Sequence, residues 1–256
     1  MADPPPVPEL RRDAFLGGKI HILQPVSGYR AGVDPVLLAA SIPAKPGDTV
    51  LELGCGGGVA SFCLAARVPD LMLTGLELQP YYAGLAQRNA RENGITFDVV
   101  TGDLSDMPDT LRQRQFTHVL ANPPYFDRDA STPARDQGRE MAMGEATPLP
   151  AWVAAAAKRA APKGTVTFIH RADRLPELLQ AMMQHLGSLE VLPLIPRAGK
   201  PARLVLIRGQ KNGRAAFRLH HGWVLHAGHG HDGDRENYTP PTACILREGA
   251  ALGFAY

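Results

Sequence analysis

The chain is poor in cysteine, in lysine and in uninterrupted apolar runs, and each shortage removes a class of protein. Its three cysteines, Cys55, Cys63 and Cys244, are odd in number and lack metal-ligand spacing. That argues against a disulfide framework and a zinc site and points to a reducing cytoplasm. The longest apolar stretches, such as Pro150 to Ala157, are broken by a charge such as Lys158. They fall short of the ~18 residues that a membrane span needs, so no membrane partner is expected. The start, Met1-Ala2-Asp3-Pro4-Pro5-Pro6, lacks the apolar core of a secretory signal and reads as a disordered Pro-rich tail over residues 1–14. Lysine numbers 6 against 21 arginines, and the formal net charge is only +2. Acidic residues are missing altogether between Glu190 and Asp232, where Arg197, Lys200, Arg203, Arg208, Lys211, Arg214 and Arg218 fall. A run of one sign is often a solvated face, but guanidinium forks also match phosphate geometry. His220, His221, His226, His229 and His231 lie near Asp232 and Asp234 without the spacing of a rigid metal site, so a solvated loop and no metal are expected.

The 256 residues, 45% of them hydrophobic, suffice for one large domain. From Thr49 onward, short apolar runs alternate with helix-like segments. Strands are predicted at Thr49–Leu53, Leu71–Glu77, Thr96–Thr101, Phe116–Ala121 and Thr165–His170. Helices are predicted at Gly58–Val68, Pro80–Asn93, Trp152–Ala161 and Leu175–Leu186, and a late strand pair at Leu189–Ile195 and Ala202–Arg208. This alternation predicts an α/β fold, a mostly parallel twisted sheet of about seven strands with helices on both faces. Ligands of such sheets sit at the carboxyl ends of the strands, near the point where strand order reverses.

Chemistry-bearing residues fall at those ends. Gly54-Cys55-Gly56-Gly57-Gly58 follows the first strand of this series, and Glu52 precedes it. The glycines permit a sharp turn and close approach of a ligand to backbone N–H groups. The third small residue of a dinucleotide fingerprint would fall at Val59, and a carboxylate at Glu52 disfavours a pyrophosphate. A ligand carrying a sulfonium fits better, which turns the reading from NAD to S-adenosylmethionine. Glu77 ends the next strand, where a carboxylate can accept both ribose hydroxyl protons; Asp103, after the third, can accept from an adenine amino group. Either acid alone also fits a helix cap or turn. Leu78 and Leu104, which follow these acids, are placed beside the same ligand.

Asn122-Pro123-Pro124-Tyr125 ends the fourth strand. Two prolines remove two N–H donors and hold the backbone extended. The Asn122 side-chain oxygen and the Pro123 carbonyl can then accept both protons of a planar amino group, leaving its nitrogen lone pair towards a methyl donor. Tyr125 offers a face for stacking a base, worth about 1–3 kcal/mol. The expected chemistry is in-line methyl transfer to an amino nitrogen, with positioning supplying much of the rate.

These motifs resemble the class I S-adenosylmethionine-dependent methyltransferases acting on amino nitrogens, whose Asn-Pro-Pro-Tyr motif serves adenine and glutamine targets alike. The upstream segment Phe15–Ala39, with Gln24-Pro25, Gly28-Tyr29-Arg30, Gly32 and Asp34-Pro35, resembles that of the bacterial tRNA(Val) adenine-N6 methyltransferase family. So do Asn122-Pro123-Pro124-Tyr125-Phe126 and Arg197-Ala198-Gly199-Lys200-Pro201-Ala202-Arg203, and the likeness runs from about Phe15 to Gly213. The resemblance implies a Rossmann-like sheet whose last strand is antiparallel, with an N-terminal segment (residues 15–48) covering the cofactor pocket. It implies a methyltransferase domain at 49–209, and leaves 210–256 as an extension of unknown role. It implies cofactor contacts from Gln24, Tyr29, Asp34 and Asn122, besides Glu52, Gly54, Gly56, Gly58, Glu77, Leu78, Asp103 and Leu104. The target is then an adenine in tRNA, beside the anticodon, held by Asn122, Pro123, Pro124 and Tyr125. RNA contacts are expected from Arg128, Arg135, Arg139, Arg197, Lys200 and Arg203. A glutamine carboxamide on a release factor, an rRNA or DNA target, and a catalytically silent RNA-binding protein stay open as alternatives.

Overall fold

Strand β3 (Thr49–Leu53) shows how the sheet partitions its side chains. Val50 faces one hydrophobic cluster, while Leu51 and Leu53 face another, the period-2 alternation of a strand buried on both sides. The computed structural model describes residues 9–28, 30–125, 147–228 and 237–254. Around β3 run β4 (Met72–Glu77), β5 (Phe97–Thr101), β6 (Phe116–Ala121), β7 (Ala160–Arg171), β8 (Gly187–Arg197) and β9 (Leu204–Gln210). Their order is β8-β9-β7-β6-β3-β4-β5, all parallel except β9, which is antiparallel to both neighbours. The last of these seven strands is thus the antiparallel one.

Helices cover both faces. α1 (Asp34–Ser41), α2 (Val59–Arg67) and α3 (Pro80–Glu92) lie on one side. The short α4 (Asp109–Arg112), α5 (Leu149–Arg159) and α6 (Leu175–Met183) lie on the other. Proline in the first turn of α1, α3, α5 and α6 forgoes an N–H that has no partner there anyway. The chain runs out from β3 through β4 to β5, then returns to place β6 on the opposite flank of β3. That reversal opens a crevice between the carboxyl ends of β3 and β6.

Several boundaries differ from expectation. The predicted tail over residues 1–14 ends earlier: Leu10–Phe15 forms β1, paired antiparallel with β2 (Ile20–Pro25) in full register from Leu10↔Pro25 to Phe15↔Ile20. Exposed Arg11 and Arg12 hide the strand in the sequence, because its stability comes from the ladder and from β2, which is largely buried. The sheet also has more than seven strands. The extension after residue 209 adds β10 (Arg218–Leu219) and β11 (Trp223–His226), both parallel to the outer edge of β8. It then supplies α7 (Pro240–Glu248), packed on α1 and on the turn between β1 and β2. Pro162-Lys163-Gly164 does not stop a helix. α5 ends at Arg159, and the triplet lies in an irregularity of β7, where pairing jumps from Phe116↔Ala160 to His118↔Thr165. No described helix is long and apolar enough to cross a membrane.

Candidate active site

The crevice is a cavity of about 890 Å³ lined by the ends of four parallel strands and by the segment before α1. After β3 the glycine-rich turn folds back over β4, with the Gly54 and Cys55 N–H groups donating to the Leu76 carbonyl at 2.8 and 3.1 Å. Gly54 has φ +66°, and a Cβ there would lie 2.7 Å from the Trp152 ring, so both backbone shape and space demand glycine. Glu77 sits below this turn. Its Oε2 accepts the Gly56 N–H at 2.9 Å and its Oε1 accepts the Gln79 N–H at 2.9 Å. Burial pushes its carboxyl up, while the N–H groups of Gln79, Gly56 and Leu78 counter that. Each oxygen keeps spare acceptor capacity, and Glu77 lines the cavity. Asp103 also lines the cavity, with Oδ1 accepting the Ser105 N–H at 2.8 Å, and Leu78 and Leu104 flank these acids.

Asn122, Pro123, Pro124 and Tyr125 form the wall that continues β6. Asn122 Oδ1 is buried and has no hydrogen-bond partner among the described residues. A buried amide oxygen left so is costly, on the order of 1–3 kcal/mol. Asn122 itself lines the cavity, so this is an unsatisfied acceptor within the cavity wall. The Tyr125 hydroxyl donates to Asp34 Oδ2 at 2.8 Å, so the first turn of α1 grips the aromatic wall. Burial raises the Asp34 carboxyl, and the Tyr125 bond opposes that rise. Among the described residues, Asp34, Glu77 and Asp103 against Arg30 give the lining a carboxylate excess that suits a cationic ligand.

Other expected cofactor contacts do not line this cavity itself, although Glu52 and Gln24 line a small pocket that shares Gly54, Gly56 and Asn122 with it. Glu52 shares the face of Val50, because strand alternation turns it towards α2 and away from the cavity. There its Oε2 accepts the Ser61 N–H at 3.0 Å and the Ser61 hydroxyl at 2.6 Å. Burial pushes it up to about 7, the Ser61 bonds notwithstanding. Gly58 is the N-cap of α2, with φ +88°, and does not line the cavity. Gln24 braces the lip from behind: its Nε2 donates to Asp13 Oδ2 at 2.9 Å and its Oε1 accepts the Ala31 N–H at 2.7 Å. Tyr29, Arg128, Arg135 and Arg139 lie outside the described residues.

The pairings Ala121↔Phe168 and Arg171↔Leu204 bring the β8–β9 turn to the same edge of the sheet as Asn122. Arg197, Lys200 and Arg203 therefore stand on the rim side. The rest of the basic run divides. Arg208, Arg218 and His220 converge on Glu190, and Lys211 Nζ donates to the Ala157 carbonyl at 2.9 Å, so these charges serve packing. His226 stacks on Tyr238 with ring centroids 4.7 Å apart, and no metal-binding group of three occurs among the described residues; His229, His231, Asp232 and Asp234 fall outside them.

Sequence reading missed Trp152, Tyr82 and Gln79, which line the cavity; the expected N-terminal cover does supply Val26, Ser27, Gly28, Arg30 and Gly32 to its lining. Trp152 carries no local signal. It reaches the site because α5 packs beneath β3, and its indole N–H donates to the Thr147 carbonyl at 3.2 Å.

Comparison with known proteins bears on the family and the fold. Residues 31–143 match the family model described as methyltransferase small domain. The chain is 30% identical over 175 residues to a protein of Porphyromonas gingivalis named tRNA1(Val) (adenine(37)-N6)-methyltransferase, covering 65% of this chain and 68% of that one. It is 28% identical over 204 residues to a protein of the same name from Actinobacillus succinogenes, covering 78% and 84%. Among solved structures, a predicted O-methyltransferase of Agrobacterium tumefaciens superposes with a TM-score of 0.68 at 23% identity, over 86% of this chain and 98% of that one. A 16S rRNA N2 G1207 methyltransferase of Thermus thermophilus, solved with AdoMet and guanosine, superposes with a TM-score of 0.55 at 18% identity, over 82% and 53%. At these identities the two structures speak for the fold.

Proposed function

We propose, from the premise that this chain belongs to the tRNA1(Val) (adenine(37)-N6)-methyltransferase family, that it methylates the exocyclic amino nitrogen of an adenine in tRNA, beside the anticodon, with S-adenosylmethionine as donor. The observation that carries the reading is Asn122 Oδ1, a buried acceptor without a partner among the described residues, in the wall of a cavity rich in carboxylates. An adenine amino group brings the donor that this oxygen lacks. S-adenosylmethionine, when bound, supplies a methyl group activated by its sulfonium charge.

The chain's own residues would do the rest. Glu77 would hold the ribose hydroxyls through its two oxygens, and Asp103 would take the adenine amino group of the cofactor. The backbone of Gly54 and Gly56 allows close approach to the cofactor's chain, and Leu78 and Leu104 offer apolar surface to its base. Asn122 and the Pro123 carbonyl orient the target amino group, and Tyr125 stacks on the target base. Arg197, Lys200 and Arg203 on the rim would meet phosphates, and an anticodon loop already presents bases that extrude at little cost. A cavity of about 890 Å³ falls within the range of pre-formed sites, about 300–1,000 Å³.

The test is methyl incorporation from labelled S-adenosylmethionine into unmodified tRNA, followed by nucleoside analysis. N6-methyladenosine confined to one position beside the anticodon is expected. Incorporation into release factor, rRNA or DNA with tRNA untouched would overturn the reading.

A further inference from the structure

His170 lies at the carboxyl end of β7, fully buried, and neither of its ring nitrogens has a hydrogen-bond partner among the described residues. Its ring packs edge-to-face on Tyr125 with centroids 5.2 Å apart. Tyr125 is thus held from two sides, by the β7 imidazole at its ring and by Asp34 of α1 at its hydroxyl. Burial, and secondarily the Arg174 charge, lower the imidazole to about 4; the Pro124 carbonyl, Asp173 and Glu177 counter this. At neutral pH the ring therefore carries one N–H and one lone pair. The Pro124 carbonyl faces that ring, yet no hydrogen bond between them is completed.

An apolar ring would fill this site at lower cost, since burying an unsatisfied polar group is destabilising by about 1–3 kcal/mol. A polar ring so placed marks a site where stability is given up for position. The segment it touches needs such help. Pro123 and Pro124 have no N–H with which to tie the end of β6 to its neighbours. We propose that His170 is a positioning residue for methyl transfer: its ring N–H engages the Pro124 carbonyl, and its edge fixes Tyr125, when the target base is held. This rests on the function proposed above, and it adds a residue that never touches substrate.

The test pairs His170→Phe with His170→Gln in the full chain, following melting temperature, S-adenosylmethionine affinity by calorimetry, and kcat on tRNA. The Phe variant is expected to melt at or above the unmodified enzyme and to bind the cofactor within about twofold, while its kcat falls about tenfold. The Gln variant, which restores an N–H donor, is expected to melt lower than the Phe variant yet recover part of the lost kcat. Opposite movement of stability and turnover is what a merely structural histidine would not produce. A Phe variant with unaltered kcat overturns the role of His170 alone. An unmodified enzyme that binds cofactor and leaves tRNA untouched overturns the functional reading, and this inference with it.

Discussion

The two halves of the cavity are finished to different degrees. Under the glycine-rich turn, polar groups are already paired: Glu77 holds Gly56 and Gln79, and Asp103 holds Ser105. At the end of β6 they are not. Five buried side-chain atoms lack a partner among the described residues, and three of them belong to Asn122 and His170. The first half is a cradle whose shape is set before any ligand arrives, as expected of a cofactor site. The second holds an unsatisfied acceptor, Asn122 Oδ1, that a substrate amino group would complete, with His170 buried behind the wall, so binding there improves as the reacting group is positioned. Substitutions in the two halves will therefore separate turnover from cofactor binding and from stability.

The largest effect is expected at Asn122. Asn122→Ala removes the orphan acceptor without touching the cradle, so kcat on tRNA should fall on the order of 10²–10³-fold, the usual result of deleting one preorganised polar contact to a reacting group. Cofactor affinity, measured by calorimetry, should change little. A parallel loss of cofactor binding would erase the distinction between the halves.

The next effect is on stability. Glu52 is buried within the cradle's support, and its carboxyl stands at about 7 against an ordinary 4.5. The folded protein thus retains a proton that the unfolded chain releases. The resulting stabilisation is complete below pH 4.5 and is lost as pH rises through about 7. A gap of this size amounts to roughly 3 kcal/mol at most. Glu52→Gln keeps an oxygen for Ser61 and carries no ionisation. Denaturant titrations at pH 5 to 8 should show the unmodified chain losing stability relative to the variant across that range. Parallel pH profiles would show that Glu52 does not ionise in the fold.

Glu77→Ala comes third. It deletes the two oxygens proposed to accept from the ribose and the tether of the Gly56 N–H, and should weaken cofactor binding by about 10–100-fold, as loss of charged hydrogen bonds does. At saturating cofactor, kcat should recover most of its value, the reverse of Asn122→Ala.

This division also marks what could be read in the sequence. Gly54, Gly56, Glu77, Asp103 and Asn122 to Tyr125 line the cavity because a parallel sheet presents whatever follows its strands at one edge, and apolar runs with Gly or Pro at their ends make those positions visible. Glu52 was legible as a buried acid but not in its direction, which depends on the parity of β3 and puts it with Val50. Gly58 reads as a ligand glycine but is required by the start of α2. Gln24 does line a small pocket beside the cavity, while its amide bonds Asp13 and Ala31, which no sequence pattern shows. Trp152 and His170 were invisible, because their contacts with Gly54 and Tyr125 arise only once α5 and β7 pack beside β3 and β6. Strand β1 was hidden by exposed Arg11 and Arg12, and β10 and β11, two and four residues long, are too short to show a period.

The smallest expected effect lies on the rim and asks where the unfinished half ends. Arg197, Lys200 and Arg203 share a turn at the edge that carries Asn122, but Arg197 also donates to the Ala227 carbonyl, so its substitution would disturb the β11 connection. Lys200 and Arg203 are the cleaner probes; their backbone N–H groups, which survive substitution, make the turn's bonds to Arg197 and Leu194. Lys200→Ala with Arg203→Ala should raise KM for tRNA a few-fold, about 1 kcal/mol for two exposed phosphate contacts, and leave kcat and cofactor affinity unaltered. The gap to the unmodified enzyme should close as salt is raised, because the variant releases fewer counterions on binding. Removing Lys211 and Arg218, which lie in the same basic run but bond Ala157 and Glu190, should lower melting temperature and leave the salt dependence of KM intact. If both pairs change the salt dependence equally, RNA is held by the charge of the whole run, and the distinction between rim and packing arginines fails.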